Sequence, residues 1–307
     1  MAAGEPLARH TTLRIGGPAD FFVEPETETG LRALLSLCAE SGVDVHFLGQ
    51  GSNVLVPDEG VRGVVLTTRR LFDRCRFQGR EVTVGSGFAL GRLVQLSLEQ
   101  GLGGLEPLAG IPGTVGGAVY MNAGTPAGSI GDRLVWARLI GPSGEERRLA
   151  REEMGFGYRT SRLQSEPGWL VAEVRLELDE APRVNAEILR AAARRRRQTQ
   201  PLAYPNAGSI FRNPPGDYAG RLIEAVGAKG LAVGGAEIST LHANFIVNTG
   251  GATAADVIEL MRIARRLVRQ RFGLTLVPEI RLFGVPAGTL ERWLDEGGGE
   301  AVGTLPH

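Results

Sequence analysis

The sequence predicts an α+β protein with more than one domain, on three observations. Short apolar runs with strand character alternate with segments whose apolar residues recur at helical spacing. The chain has 307 residues, enough for two or three cores. Glycine accounts for 44 of them, about twice the usual share, and is clustered. Ten glycines fall within residues 101–131, and only five within residues 141–200. Glycine confined in this way points to local backbone demands, namely tight turns or close approach to a ligand. No Gly-X-Y period runs through the chain, and 43% hydrophobic residues with zero net charge exclude a disordered low-complexity chain.

The elements follow in order. Asp20 to Glu24 reads as a strand, and Thr29 to Glu40 as a helix through Leu31, Leu34, Leu35 and Cys38. Val43 to Leu48 is a strand that runs into Gly49-Gln-Gly-Ser-Asn53. Val54 to Val56 and Val61 to Thr67 complete a βαβ-type unit, 1–67. A second segment, 68–182, opens with a hairpin, Arg74 to Phe77 and Glu81 to Val84. A helix over Ala89 to Gln100 follows, with Leu90, Leu93, Val94 and Leu98 on one face. Beyond the Gly-rich stretch, Val135 to Ile140 and Arg147 to Leu149 are strands across Gly141-Pro-Ser-Gly144, and Trp169 to Leu178 is another. Pro182 marks a boundary to a third segment, 183–274. There helices are predicted over Asn185 to Gln198, Tyr218 to Val226 and Thr253 to Phe272, and a strand over Phe245 to Asn248. Val277 to Phe283 is a strand within a closing segment, 275–285, expected to rejoin the first unit. The tail, 286–307, is expected to fray.

Several function classes are excluded early. The 34 basic residues balance 34 acidic ones, so nothing favours nucleic acid or an anionic membrane as partner. No stretch of about 18 apolar residues predicts a membrane span, and the N-terminus lacks a signal pattern. Cys38 and Cys75 are isolated, which fits a reducing cytoplasm. Lys229 is the sole lysine, so Schiff-base chemistry is a poor fit. The four histidines have no metal-ligand spacing, and no metal is expected. Arg194 to Arg197 reads as a solvated helix face rather than an anion patch.

Two glycine motifs carry chemistry. Gly49-Gln50-Gly51-Ser52-Asn53 follows a strand, and its backbone N–H groups suit an anion cradle; a plain hairpin turn explains it equally well. It is neither a Walker A loop nor a GxGxxG opening a helix. The stretch Gly101 to Gly124 is more specific. Pro112 suits the first turn of a short helix, and Gly113, Gly116 and Gly117 would let that helix approach a flat ligand or another backbone.

These motifs resemble the flavin-binding half of the UDP-N-acetylenolpyruvoylglucosamine reductase family. The resemblance continues through Thr12 to Asp20, Gly155-Phe-Gly-Tyr-Arg-Thr-Ser161, Ala207-Gly-Ser-Ile-Phe-Arg-Asn-Pro214, Lys229-Gly230, Gly234-Gly-Ala236, His242 to Asn248 and Pro278-Glu-Ile-Arg281. It implies a two-subdomain FAD-binding module of the vanillyl-alcohol-oxidase-like type plus a C-terminal α+β substrate-binding domain. The short link between Ser209 and Gly235 matches the family's shorter type, which lacks an extra loop carrying a substrate tyrosine.

The resemblance implies a reaction. NADPH reduces FAD, and the flavin passes hydride to the enolpyruvyl ether of UDP-N-acetylglucosamine, giving UDP-N-acetylmuramate for peptidoglycan. Charge that develops next to the carboxylate then needs stabilisation and a proton. By resemblance Ser209 gives the proton, Arg159 is a fixed cation suited to the carboxylate, and Glu279 acts best protonated or sharing a proton. Taken singly, each is a common turn or surface residue. The cofactor contacts implied are Gly49 to Asn53 together with Gly110, Ile111, Pro112, Gly113, Thr114, Gly116, Gly117 and Ala118. Gln200, Asn213, His242, Tyr158 and Lys229 are implied for the substrate, though His242 is equally readable as a core histidine. A cytoplasmic monomer acting on a small molecule is expected. Two alternatives stay open: another FAD-dependent oxidase or dehydrogenase of the same superfamily, and a non-catalytic nucleotide-binding relative. Ser209, Glu279 and Arg159 in these contexts argue against both.

Overall fold

A computed structural model describes residues 1–180 and 186–295. The fold is α+β, and the chain forms two compact units. Unit 1 comprises Met1–Ala3, Phe21–Gln50 and Gly63–Arg196; unit 2 comprises Gly4–Asp20, Gly51–Arg62 and the chain from Arg197 onward.

Unit 1 contains helices α1 (Glu28–Ser41), α2 (Leu90–Glu99), α3 (Val115–Met121) and most of α4 (Ala186–Thr199). Thr27 caps α1 by accepting a hydrogen bond from Gly30 N, and Gly42 ends it in the left-handed conformation at φ 65°. Val45–Phe47 pairs in parallel with the strand that ends at Leu66, Phe47 opposite Leu66. A five-stranded antiparallel sheet runs in the order Glu146–Ala150, Leu134–Ile140, Leu170–Glu177, Glu81–Gly85, Cys75–Gln78. Two cores form on this framework. One joins Val82, Val84, Ala137 and Val174 of the sheet to Leu90 and Leu93 of α2 and Val115 and Val119 of α3. The other joins Leu31 and Leu35 of α1 to Val64, Leu66, Ile140 and Ala172. Each fully buried aliphatic side chain of this size contributes about 1.5–3 kcal/mol, so the packing fixes where α3 begins.

Unit 2 contains α5 (Ala219–Ala225), α6 (Ala254–Phe272) and α7 (Thr289–Asp295). Ala232–Val233, Ala236–Ile238 and Ile246–Asn248 form a small antiparallel sheet. Val257, Leu260, Met261, Ala264 and Val268 of α6 share a core with Ile238, Ile246, Phe211, Leu13 and Leu55. A capping box starts α6: Thr253 Oγ1 accepts from Asp256 N while Asp256 accepts from Thr253 N. Arg281–Leu282 pairs in parallel with Val54–Leu55.

The structure corrects several expectations about elements. The strand predicted over Val277 to Phe283 is a strand only at Arg281–Leu282. Within the tail expected to fray, 289–295 is helix α7. Its Leu290 and Leu294 are buried in the unit 2 core, Arg262 donates to Trp293 O and Arg265 pairs with Asp295 at 2.8 Å. Residues 296–307 and the boundary placed at Pro182 lie outside the described residues, as does Asn185, where the predicted helix began. The hairpin Gly124–Thr125 with Gly128–Ser129 lay unread inside the Gly-rich stretch.

Candidate active site

The expected site residues divide between the units. Gly49, Gln50, Gly110, Ile111, Pro112, Gly113, Thr114, Gly116, Gly117, Ala118, Tyr158 and Arg159 belong to unit 1. Gly51, Ser52, Asn53, Gln200, Ser209, Asn213, Lys229, His242 and Glu279 belong to unit 2.

In unit 1 the two glycine motifs meet. A Cβ built on Gly49 would lie 2.8 Å from Thr114 Oγ1, so only glycine lets the first loop approach the start of α3. Thr114 is the N-cap of α3, and its Oγ1 accepts from Gly117 N at 3.3 Å. Pro112 therefore lies two residues before the cap, not in the first helical turn as expected. The loop is clamped from behind: Leu90 N donates to Gly113 O, Val115 N to Phe88 O and Gly116 N to Ser86 O, at 2.8–3.0 Å. Gly116 is tight against this support, since a Cβ there would lie only 2.8 Å from Ser86 Cβ. A Cβ on Gly117, in contrast, meets nothing closer than the helix's own cap, at 3.6 Å. Gly117 thus leaves open space on a fixed scaffold, which suits a flat cofactor approaching the backbone.

The far end of α3 holds Arg159. Asn122, left-handed at φ 44°, ends the helix, and its Nδ2 donates to Gly157 O at 2.9 Å. Ser161 Oγ and Gln164 Nε2 both donate to Tyr120 O, and Gln164 Nε2 also donates to Arg159 O at 3.0 Å. Arg159 itself takes φ 57°, a costly conformation for a residue with a Cβ, and its Nη2 donates to Gly124 O at 2.8 Å. Such strain held by neighbouring hydrogen bonds fits a functional position. Tyr158 is exposed, and the Arg159 guanidinium lies 5.2 Å from its ring centre.

In unit 2 three expected segments converge. Glu279 N donates to Ile210 O at 2.8 Å and Arg212 N to Val277 O at 2.8 Å, which sets Ser209 beside the Glu279 segment. Asn53 Nδ2 donates to Glu279 O at 3.2 Å, and Arg281 N donates to Asn53 O at 3.0 Å. A Cβ on Gly208 would lie 4.0 Å from Ser52 O. Ser209 and Glu279 are both partly exposed. At Gly51 an added Cβ would strike His10 O at 2.2 Å and Thr11 Cα at 2.7 Å, so the chain's own backbone already demands glycine there.

A second group surrounds the start of α5. Asn213 Oδ1 accepts from Ala219 N at 3.1 Å, and a Cβ on Gly220 would lie 3.0 Å from His242 Cε1. His242 is half-buried, edge-on to Phe245 with ring centres 4.9 Å apart, and its Nδ1 accepts from Asn244 N. Burial holds its pKa below the usual 6.5, and Lys229 lowers it further. Lys229 pairs with Glu224 at 2.8 Å. Gln200 is partly buried in unit 2.

Three positioning residues escaped the sequence reading. Asn244, 3% exposed, donates to Phe211 O and accepts from Phe211 N, while its own carbonyl accepts from Ile210 N, locking the segment after Ser209. Asn206 Oδ1 accepts from Gly208 N at 3.1 Å. Thr12 Oγ1 donates to Asn206 O at 2.7 Å, and Thr12 N donates to Gly51 O at 3.0 Å. Asn244 and Thr12 lay within family motifs, so the signal was present without an assigned role. The four-arginine run also needs correction. Arg194, Arg195 and Arg197 are exposed, but Arg196 is half-buried, with Cδ 2.6 Å from the Cβ position of Gly110. Burial pushes its pKa down. Among the described residues no group of three or more His, Cys, Asp or Glu is placed to hold a metal ion, and no helix is long and apolar enough to cross a membrane. Burial raises the Cys75 thiol to about 11, which leaves it unreactive.

Comparison with known proteins agrees with this layout. A family model described as an FAD binding domain matches residues 19–150, and one described as the UDP-N-acetylenolpyruvoylglucosamine reductase C-terminal domain matches residues 200–283. The chain is 49% identical over 284 residues to the UDP-N-acetylenolpyruvoylglucosamine reductase of Moorella thermoacetica, covering 92% of this chain and 93% of that protein. It is 50% identical over 281 residues to reductase 2 of Symbiobacterium thermophilum, covering 91% of each. The crystal structure of the Thermus caldophilus UDP-N-acetylenolpyruvylglucosamine reductase superposes with a TM-score of 0.76 at 41% identity, covering 90% of this chain and 97% of that one. The match therefore runs through both units, and the chain belongs to the UDP-N-acetylenolpyruvoylglucosamine reductase family.

Proposed function

We propose that the protein catalyses FAD-mediated, NADPH-consuming reduction of the enolpyruvyl ether of UDP-N-acetylglucosamine to UDP-N-acetylmuramate. It would do so in the cytoplasm, for peptidoglycan synthesis. The observation that carries the reading is the convergence in unit 2 of Gly51 to Asn53, Ser209 and Glu279, segments far apart in sequence. FAD bound to the chain would supply the two-electron chemistry that links NADPH oxidation to reduction of the alkene.

The chain's residues do the rest. Gly49, Gln50, Gly110 to Thr114 and Gly116 to Ala118 would hold the cofactor on unit 1, with room for it at the open face of Gly117. Ser52 and Asn53 add contacts from the loop that Asn53 ties to Glu279. Arg159, strained and anchored to Gly124 O, is a permanent cation for the substrate carboxylate, where negative charge grows as hydride arrives. Ser209 delivers its hydroxyl proton to the carbon next to that carboxylate, so the alkene gains hydride and proton in all, and solvent restores the hydroxyl. Glu279 lies along the same backbone pairing and steadies the developing charge. Asn213, His242, Lys229, Gln200 and Tyr158 bind the nucleotide sugar.

The test is direct. Under anaerobic conditions, protein reconstituted with FAD should consume NADPH beyond one equivalent per flavin only when the enolpyruvyl sugar is present, with a product heavier by two hydrogens. NADPH consumption indifferent to that sugar would sink the reading and favour another flavin oxidase of the superfamily.

A further inference from the structure

Helix α4 turns one face toward the rest of unit 1. Among residues 187–199 the partly buried ones are Leu189, Ala192 and Arg196, spaced by three and four and so on one side of the helix. Leu189 packs against the core that Val115 and Val119 of α3 share with the sheet. Two turns on, the same face carries a cation where the pattern calls for an apolar residue. Arg196 lies over Gly110 of the second glycine motif. A Cβ built on Gly110 would be 2.6 Å from Arg196 Cδ and 3.7 Å from its Nε, and Gly110 takes φ 81°. Glycine at this position lets the arginine stem cross the loop at close range.

A guanidinium placed here loses part of its hydration, and burial pushes its pKa down. The cradle itself is uncharged: Gly49, Gln50 and the residues from Gly110 to Ala118 have no ionisable side chain. A cofactor with an anionic diphosphate would therefore meet backbone N–H groups from the loop and the Arg196 guanidinium from α4. The guanidinium fork matches two phosphate oxygens at once, and such a pairing offsets the cost of its burial.

We propose that Arg196 is a cofactor-binding residue whose guanidinium holds the diphosphate of FAD against the Gly110 loop. The inference rests on the flavin reading above. In that reading NADPH and the sugar nucleotide also carry diphosphates. The position over Gly110 favours FAD, because that loop belongs to the expected cofactor segment.

The experiment compares wild type with Arg196→Gln, Arg196→Lys and, as a control for net charge, Arg194→Gln, which removes an exposed cation paired with Glu187. Each protein is stripped of flavin and titrated with FAD by fluorescence quenching. After flavin loading, KM is measured for NADPH and for the enolpyruvyl sugar nucleotide. Arg196→Gln should weaken FAD binding about ten- to a hundredfold, the worth of a hydrogen bond to a charged group. Arg196→Lys should lose less, because the point charge survives without the fork. Arg194→Gln should bind FAD within about twofold of wild type, and no variant should melt markedly earlier than wild type in the flavin-free state. FAD affinity within about twofold of wild type for Arg196→Gln overturns the inference. A raised KM for NADPH or the sugar nucleotide at unchanged FAD affinity overturns it too, and assigns Arg196 to that other diphosphate. An equal loss of FAD affinity in Arg194→Gln contradicts it, since net charge alone would then explain the effect. So does a fall in flavin-free stability that matches the loss of affinity, because Arg196 would then support the fold. Wild type that takes up no FAD overturns the flavin reading itself, which tells the two failures apart.

Discussion

Ser209 bears the most specific residue-level claim. Its segment is fixed by Asn244 and by the pairing of Ile210 with Glu279, so loss of the hydroxyl should leave the loop in place. Ser209→Ala should keep NADPH bleaching of the flavin near wild type while turnover of the enolpyruvyl sugar falls by a factor of about a hundred or more, the usual worth of a positioned proton donor. Equal loss of both half-reactions would remove Ser209 from the proton path. Asn244→Ala should act differently. It strips two buried hydrogen bonds and leaves Phe211 N and O unpaired, costing about 2–4 kcal/mol of stability by denaturant titration. His242 adds a pH signature. Burial depresses its pKa in the folded state, so its neutral form is favoured there; stability is full above about pH 6.5 and is lost as pH falls below that. A His242→Gln variant should therefore lose less stability than wild type between about pH 7 and 5, and parallel melting curves would contradict this burial effect.

At the scale of elements, α3 organises unit 1. Its N-cap meets the first glycine loop, and its C-cap holds the loop of Arg159, so one short helix couples the expected cofactor and carboxylate positions. Gly117→Ala tests the cofactor side. Its Cβ has room in the flavin-free protein, and alanine favours helix by about 1 kcal/mol over glycine, so flavin-free stability should hold or rise. FAD affinity should nonetheless fall, and unchanged affinity would show that Gly117 faces away from the cofactor. Much of this was legible in advance. The helices through Leu31 to Cys38 and Leu90 to Leu98 and the bracketed helix ending at Phe272 were plain from spacing and caps. What a glycine touches was not. At Gly51 a further demand for glycine comes from His10 O, a contact made by chain some forty residues earlier. Arg196 looked like its solvated neighbours until the fold set it over Gly110. The last helix was hidden because seven residues ending at Asp295 give too short a period, and their burial against α6 comes from tertiary packing.

For the molecule as a whole, both units match the family, and each carries some of the proposed residues: Arg159 and the α3 loop belong to unit 1, Ser209 and Glu279 to unit 2. The motifs that named the family were legible because the chemistry constrains residue types locally, as at Ala207-Gly-Ser209 and Pro278-Glu279. The hydrogen-bonded residues that hold them were not, because Thr12 and Asn244 act through partners remote in sequence, and Asn206 looked like an ordinary turn residue beside Pro205. The central claim is that flavin bound to this chain reduces the enolpyruvyl sugar nucleotide. It is tested most directly in the oxidative half-reaction. Flavin-loaded protein is reduced under anaerobic conditions with one equivalent of NADPH and mixed with the enolpyruvyl sugar nucleotide, and the visible flavin absorbance is followed. Oxidised-flavin absorbance should return in a single turnover, with one UDP-N-acetylmuramate formed per flavin. Absorbance that stays bleached until oxygen is admitted, with no such product, would contradict the proposed reaction.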